Sequence, residues 1–163
     1  MIYNSTAVFR EIYERNVDTV YRVCYMYLKN PTDAEDAVHN TFLKLFESGK
    51  AFESEEHEKA WLIRVCSNVC KNMLSHWSRK AEDISVLEIK SEDSTDETLI
   101  TLCSLPEKLK LPVYLHYYDG YTSAEIGKML GIPDSTVRNR LQKARELLKE
   151  ILDDGAERKD SND

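Results

Sequence analysis

YTSAEIGKMLGIPDSTVRNRLQKAR, residues 121–145, decides the fold. Thr122 followed by Glu125 is a capping-box pattern, in which each residue satisfies a free backbone N–H at a helix start. Ala124, Met129 and Leu130, flanked by Ile126, give the short helix an apolar side. Gly131 stands where that helix stops, Ile132 and Pro133 continue the turn, and Asp134 is placed to cap the next helix. There Val137, Leu141, Ala144 and Leu148 recur at helical spacing, with Arg138, Asn139, Arg140, Gln142, Lys143 and Arg145 on the other faces. A short helix, a tight turn and a helix rich in Arg, Asn and Gln read as a helix-turn-helix. The second helix has the chemistry for major-groove readout, since Arg pairs bidentately with guanine and Asn or Gln with adenine. The plainer alternative is a helical hairpin with a solvated basic face.

Around this motif, 163 residues with only 5 Gly and 4 Pro and few alternating β-branched runs predict an all-α protein. The expected layout is two small helical domains joined by a flexible acidic linker. Residues 1–80 form the first domain and 81–94 the linker. Residues 95–152 form the second domain, containing the helix-turn-helix, and 153–163 an acidic, disordered tail. No apolar run approaches the ~18 residues of a membrane span, and the start MIYNSTAVF lacks the look of a signal peptide. A cytoplasmic protein without membrane insertion is expected. Cys24, Cys66, Cys70 and Cys103 are scattered through helical segments and read as small buried hydrophobes rather than a disulfide framework or metal site.

A net charge of −7 looks wrong for a nucleic-acid binder until it is located. Residues 1–80 and 95–152 are each neutral, the linker carries −4 and the tail −3. Residues 59–80 hold five bases and no acid, and residues 135–149 hold five bases against Glu146. Two local basic surfaces in two domains are the footprint of nucleic-acid contact at two places.

In the first domain, Phe9, Ile12, Tyr13, Val20, Val23, Cys24 and Tyr27 keep a near-helical period, broken by the polar Asn16, until Asn30-Pro31. Thr32 and Glu35 read as a second capping box, and Gly49 is placed to end the helix lined by Ala34, Ala37, Val38, Thr41, Phe42, Leu45 and Phe46. A polar loop, 50–57, precedes a helix from about Glu58 to Arg79. That helix has an apolar stripe of Leu62, Cys66, Val69, Met73 and Trp77 opposite a basic one of Arg64, Asn68, Lys71, Ser75 and Arg79. The second domain opens with the pattern Ser94 to Glu97. Pro112 is expected to start a helix through Tyr118, which Gly120 ends.

DAEDAVHNTFLKLF (33–46), WLIRVCSNVCKNMLSHWSRK (61–80) and the run from Leu105 to Leu148 resemble, in order and spacing, bacterial RNA polymerase sigma factors of the extracytoplasmic-function (ECF) group, in the sigma-70 family. The resemblance implies an alternative sigma factor that binds core RNA polymerase and promoter DNA. Asp33, Glu35, Asp36, Phe42 and Phe46 would meet a coiled coil of the polymerase. His39-Asn40 departs from the family's usual Gln-Glu and removes a carboxylate there. Arg64, Asn68, Lys71, Asn72, Ser75, His76 and Arg79 would approach the −10 element, with the 50–57 loop holding an unstacked base. Ser135, Thr136, Arg138, Asn139, Gln142, Lys143 and Arg145 would enter the major groove at −35. Arg138, Asn139 and Gln142 are the choices for base edges, and Lys143 and Arg145 for phosphate. The linker would thread toward the RNA exit path, its charge mimicking RNA. Such proteins are commonly held by an anti-sigma factor.

The closest rival is a stand-alone helix-turn-helix activator or repressor, but residues 1–80 show a second basic helix rather than a sensing domain. A helical di-metal enzyme would use Glu35, Asp36 and His39, yet Glu11, Glu14, Asp18 and His57 supply no matching repeat. No catalytic residue, cofactor or metal is therefore expected.

Overall fold

The computed structural model describes residues 6–80 and 97–160. Among them every regular element is helical: α1 (Thr6–Leu28), α2 (Pro31–Ser48), α3 (Glu55–Lys80), α4 (Glu97–Cys103), α5 (Glu107–Val113), a π-helical turn (Tyr114–Tyr118), α6 (Ser123–Leu130) and α7 (Asp134–Asp160). They form two compact units, Met1–Cys103 and Ser104–Asp163. The expected linker, 81–94, with the expected cap Ser94, lies outside the described residues.

Helix ends depart from expectation where two signals compete. Asn30, not Thr32, caps α2: its side chain accepts the Asp33 N–H at 3.1 Å, and Pro31 occupies the first helical position. Asn caps at least as well as Thr, and proline's fixed φ suits that position, so the helix starts earlier. Lys29 closes α1 in the left-handed region (φ 61°), donating its N–H to the Tyr25 carbonyl at 2.8 Å. The loop expected at 50–57 is shorter. Ser54 caps α3 by accepting the His57 N–H at 3.1 Å, which brings Glu55–His57 into the helix.

Helices α1, α2 and α3 pack on one another in the first unit. Val20, Val23, Cys24, Ala37, Leu45, Leu62, Ile63 and Cys66 are at most 1% exposed at their centre. Among the described residues one charged side chain is buried in this unit: Glu58, 5% exposed, at the start of α3. Its two oxygens accept from Arg15 Nε and Nη2 at 3.0 and 3.1 Å, and Oε1 also accepts from Asn16 Nδ2 at 2.7 Å. The same amide reaches the Ile12 carbonyl at 2.9 Å, so the polar break in α1 is a satisfied clasp to α3. The periodicity of α1 predicts a single stripe, yet Val23–Leu28 are buried all round. The reason is α4, which packs on α1 and brings Cys103 Sγ to 3.9 Å from the Tyr25 carbonyl. The expected boundary at residue 95 is thus displaced: Glu97–Cys103 belongs to the first unit, where Leu99 and Leu102 find their apolar partners.

The second unit starts with α5, which begins at Glu107 and contains Pro112 rather than starting there. Pro106 precedes it with extended ψ (146°), and its carbonyl accepts the Leu109 N–H at 3.0 Å. Pro112 lacks an N–H, so one rung of the α ladder is missing and the next turn widens. The Asp119 N–H reaches back five residues to the Tyr114 carbonyl at 3.3 Å. Gly120 then turns the chain at φ 78°. The Thr122–Glu125 capping box is complete, and Gly131 ends α6 at φ 70°. Ile126, which the spacing puts at the flank, is fully buried, while Ala124 is exposed. Gly127 was not singled out by its pattern: a Cβ there would lie 2.7 Å from the Ile132 carbonyl oxygen, which marks how closely the turn folds over α6. Asp134 occupies the first position of α7 instead of capping it, because the Pro133 carbonyl takes the Thr136 and Val137 N–H groups at 3.0 and 3.2 Å. The helix then runs on to Asp160, through most of the tail expected to be disordered. Ile151, Leu152, Ala156, Glu157 and Arg158 are tolerable to good helix formers, and one Gly, at 155, costs only about 1 kcal/mol.

Two expectations follow from these packing details. Glu58→Gln, which keeps shape but removes charge, should destabilise the protein by about 1.5–3 kcal/mol, the range for hydrogen bonds to a charged group. The check is a lower urea midpoint at unchanged slope. Gly127→Ala should cost about 1–3 kcal/mol by overpacking against backbone. It should also displace the turn, seen as amide chemical-shift changes running from Gly127 through Asp134.

Candidate functional site

Three surfaces bring exposed polar and aromatic side chains together. The first is the outer side of α7. Val137, Leu141 and Ala144 are buried beneath it, which fixes how the helix is rolled. Ser135, Arg138, Asn139, Gln142, Lys143 and Arg145 are all exposed, and Thr136 is half-buried. At about 100° per residue they divide into flanks. Arg138 and Arg145 share one, Thr136, Asn139 and Lys143 the other, and Ser135 and Gln142 lie between. The expected base-reading trio therefore spans the whole outer face instead of one edge. Arg138 is steered by Asp134, whose Oδ1 lies 3.8 Å from its Nε.

The second surface belongs to α3. Arg64, Asn68, Lys71, Asn72, Ser75 and His76 are exposed opposite the buried Leu62, Cys66, Val69 and Cys70, as the two-stripe pattern predicts. The Arg79 side chain lies outside the described residues. Lys71 Nζ stands 6.0 Å from the Tyr27 ring centroid, so α1 helps position it. Beside this stripe is an aromatic group the sequence reading missed. Phe52, in the short loop before α3, packs edge-on to His57 at 5.4 Å and against Trp61 at 5.7 Å, and Lys50 Nζ lies 5.7 Å from the Trp61 ring. The available signal was an aromatic residue in an otherwise polar loop, with His57 and Trp61 one helical turn apart. Half-buried aromatics beside a cation can stack an unpaired base.

The third surface is a groove of about 600 Å³ between α1 and α2. Phe9 and Tyr13 face Phe42 across it, with ring centroids 6.4 and 4.7 Å apart, and Phe9 also meets Phe46 at 5.8 Å. Of the five residues expected to share one interface, Glu35, Phe42 and Phe46 line this groove together with His39 and Leu43. Phe42 is only 3% exposed and forms the floor, whereas Phe46 at 59% and Leu43 at 45% are open. Asp33 is not among the lining residues, and Asp36 is also absent from it. A helix puts position 33 roughly opposite 35 and 42. Burial, and then the neighbouring charge of Asp36, raise the Asp33 carboxyl above its ordinary value.

The cysteines belong to the core. All four are buried free thiols. The Cys24 thiol is pushed well above its ordinary range, chiefly through its hydrogen bond with Cys66, against an opposing effect of Cys70 and with burial adding to it. A thiol held protonated is a poor nucleophile and a poor metal ligand. Among the described residues no three His, Cys, Asp or Glu side chains converge in a way that could hold a metal ion. No helix among them is long and apolar enough to cross a membrane.

Residues 12–80 match the family profile for sigma-70 region 2, and residues 101–148 that for sigma-70 region 4. The chain is similar to the ECF RNA polymerase sigma factor SigE of Mycolicibacterium smegmatis, 29% identical over 156 residues, covering 87% of this chain and 60% of that protein. It is 25% identical over 167 residues to the ECF RNA polymerase sigma factor SigW of Bacillus subtilis, covering 90% and 89% respectively. Among solved structures, sigma factor RpoE of Bartonella quintana, in complex with the anti-sigma factor NepR, superimposes with a TM-score of 0.70 at 20% identity, covering 89% of this chain and 96% of that one. CnrH, in complex with the cytosolic domain of CnrY, gives 0.66 at 19% identity, covering 91% and 90%.

Proposed function

The chain belongs to the sigma-70 family, in its ECF group, and from that premise we propose that it binds core RNA polymerase and directs initiation at its own set of promoters. As an initiation factor it is not an enzyme, and the chemistry belongs to the polymerase. The observation that carries this reading is the placement of the family's two regions. Region 2 falls in the first compact unit and region 4, apart from its first three residues, in the second, and each unit offers one helix with a polar, base-rich outer stripe.

In this reading α7 enters the major groove at −35, with Gln142 central and Arg138 and Asn139 on either side, and Arg145 holding phosphate. The α3 stripe lies along the −10 region, where Asn68, Asn72 and His76 contact the opening strand and Arg64, Lys71 and Ser75 its backbone. Phe52 and Trp61 give the adjoining loop the stacking surface that a displaced base requires. The groove between α1 and α2 receives a helical element of the polymerase. Phe46 and Leu43 supply desolvation there, and Glu35 and Asp36 at its margin set orientation. Asp33, on another face, serves α2 itself more than the partner. An anti-sigma factor is a further partner in this proposal, covering these same polymerase-binding surfaces, and the protein works in the cytoplasm, where promoter DNA is.

Purified protein added to core polymerase should produce run-off transcripts from a small subset of a randomised promoter library. Background transcription equal to core alone would sink the reading, and protection of DNA by the protein without core would favour a stand-alone regulator. Arg138→Ala or Gln142→Ala should each relax preference at a −35 position by about 1–3 kcal/mol, while Asn68→Ala, Asn72→Ala and His76→Ala should change −10 preference instead. Phe46→Ala should weaken core binding by about 2 kcal/mol, as expected of an interface anchor, with the unfolding midpoint nearly unchanged because the ring is largely exposed.

A further inference from the structure

Lys108, on α5, lies outside the helix-turn-helix and has no part in the −35 surface described above. The structure nevertheless brings it to α7. A notch of about 300 Å³ is lined by Lys108 and Leu109 from α5 and by Thr136, Asn139, Arg140 and Lys143 from α7. Three cations from two helices thus share one small concavity, and its lining contains no carboxylate. Asp134, on another flank of α7, pairs with Arg138 and does not line the notch. Converging cations without a counter-charge repel one another, and the arrangement becomes favourable once an anion with several acceptor oxygens enters. Thr136 and Asn139 add a hydroxyl and an amide as neutral donors at the same wall.

We infer that this notch holds one phosphate of the DNA backbone beside the −35 bases, with Lys108, Arg140 and Lys143 as its joint ligands. The inference rests on the reading of α7 as the −35 helix. The notch lies on the flank of α7 that carries Asn139 and Lys143, next to Gln142, so a duplex engaged by the outer face would pass its backbone along it. Lys108 would then fix the roll of α7 in the groove from a second helix, a constraint that contacts from α7 by itself cannot supply. Arg140, half-buried and unassigned by the sequence reading, gains a role in the same step.

The test uses the full chain with core polymerase on promoters selected by the wild-type protein, so that failure of the sigma-factor reading shows at the selection stage. Lys108→Ala should weaken every selected promoter several-fold without changing base preference, and should lower the slope of log affinity against log salt by no more than about 0.9, the value for one phosphate. Lys108→Arg should restore most of the loss. In Lys108→Ala/Lys143→Ala the slope should fall by little more than in either single variant, because both cations serve one phosphate. A scan of neutral methylphosphonate linkages should find one position that weakens the wild type several-fold and Lys108→Ala clearly less. Unchanged affinity and slope in Lys108→Ala would overturn the inference. So would a shift at one −35 base, a slope loss of about two in the double variant, or the absence of a methylphosphonate position that weakens the wild type more than Lys108→Ala.

Discussion

The Glu58 carboxylate is the interaction on which the first unit depends. It sits where α3 begins, and it takes hydrogen bonds from two consecutive residues of α1. A carboxylate so nearly excluded from water is tolerable only with its acceptor sites filled, and Asn16, itself 3% exposed, is tolerable for the same reason. Each group makes the other's burial possible. The pairing sets the axial position of α3 against α1, and the apolar row from Leu62 to Cys70 sets its roll. Arg64, Asn68, Lys71 and Ser75 are then left facing outward. Loss of the clasp would therefore reach a surface well removed from it along the helix.

A different kind of constraint governs the second unit, one of space. Gly127 lets the backbone of the turn lie against α6, with the Ile132 N–H bonded to the Gly127 carbonyl at 3.0 Å. Capping box, left-handed Gly131 and this close approach leave the link between α6 and α7 little freedom, so the outer face of α7 is held ready rather than ordered on contact. Rigid presentation of this kind lowers the entropy that binding would otherwise cost.

Much of this was legible in the sequence because it is local. The Thr122–Glu125 box, Gly49, Gly120 and Gly131 carry their geometry in neighbouring residues, and the opposite stripes of α3 need only a helical period. Departures arose where local signals overlapped or long-range packing decided. Asn30-Pro31 and Thr32…Glu35 both mark a helix start, and proline in first position settles it. Nothing in Leu99 or Leu102 says which core they join. Phe42 and Phe46 share a face by spacing, but only the α1 rings opposite make one a floor and the other a rim. Asp33 is instructive in another way. Its angle away from Glu35 was readable from spacing, and grouping it with them came from the resemblance instead. Phe52 shows the reverse, since its meaning needs the two aromatic residues that α3 brings beside it.

The attachment of α4 has a consequence for how this protein is made. Cys103 meets the Tyr25 carbonyl across 78 positions of chain. A ribosome releasing the chain from its N-terminus can pack α1, α2 and α3 early, yet the Tyr25–Leu28 end of α1 stays uncovered until residues 97–103 have emerged. At about 5–20 residues per second, that exposure lasts some seconds. The second unit waits less, since its farthest packing, α5 on α7, joins segments much closer in sequence than Tyr25 and Cys103. The late-closing unit is also the one with the open aromatic groove, so newly made chains pass through a stage in which two apolar surfaces, not one, face the surrounding proteins.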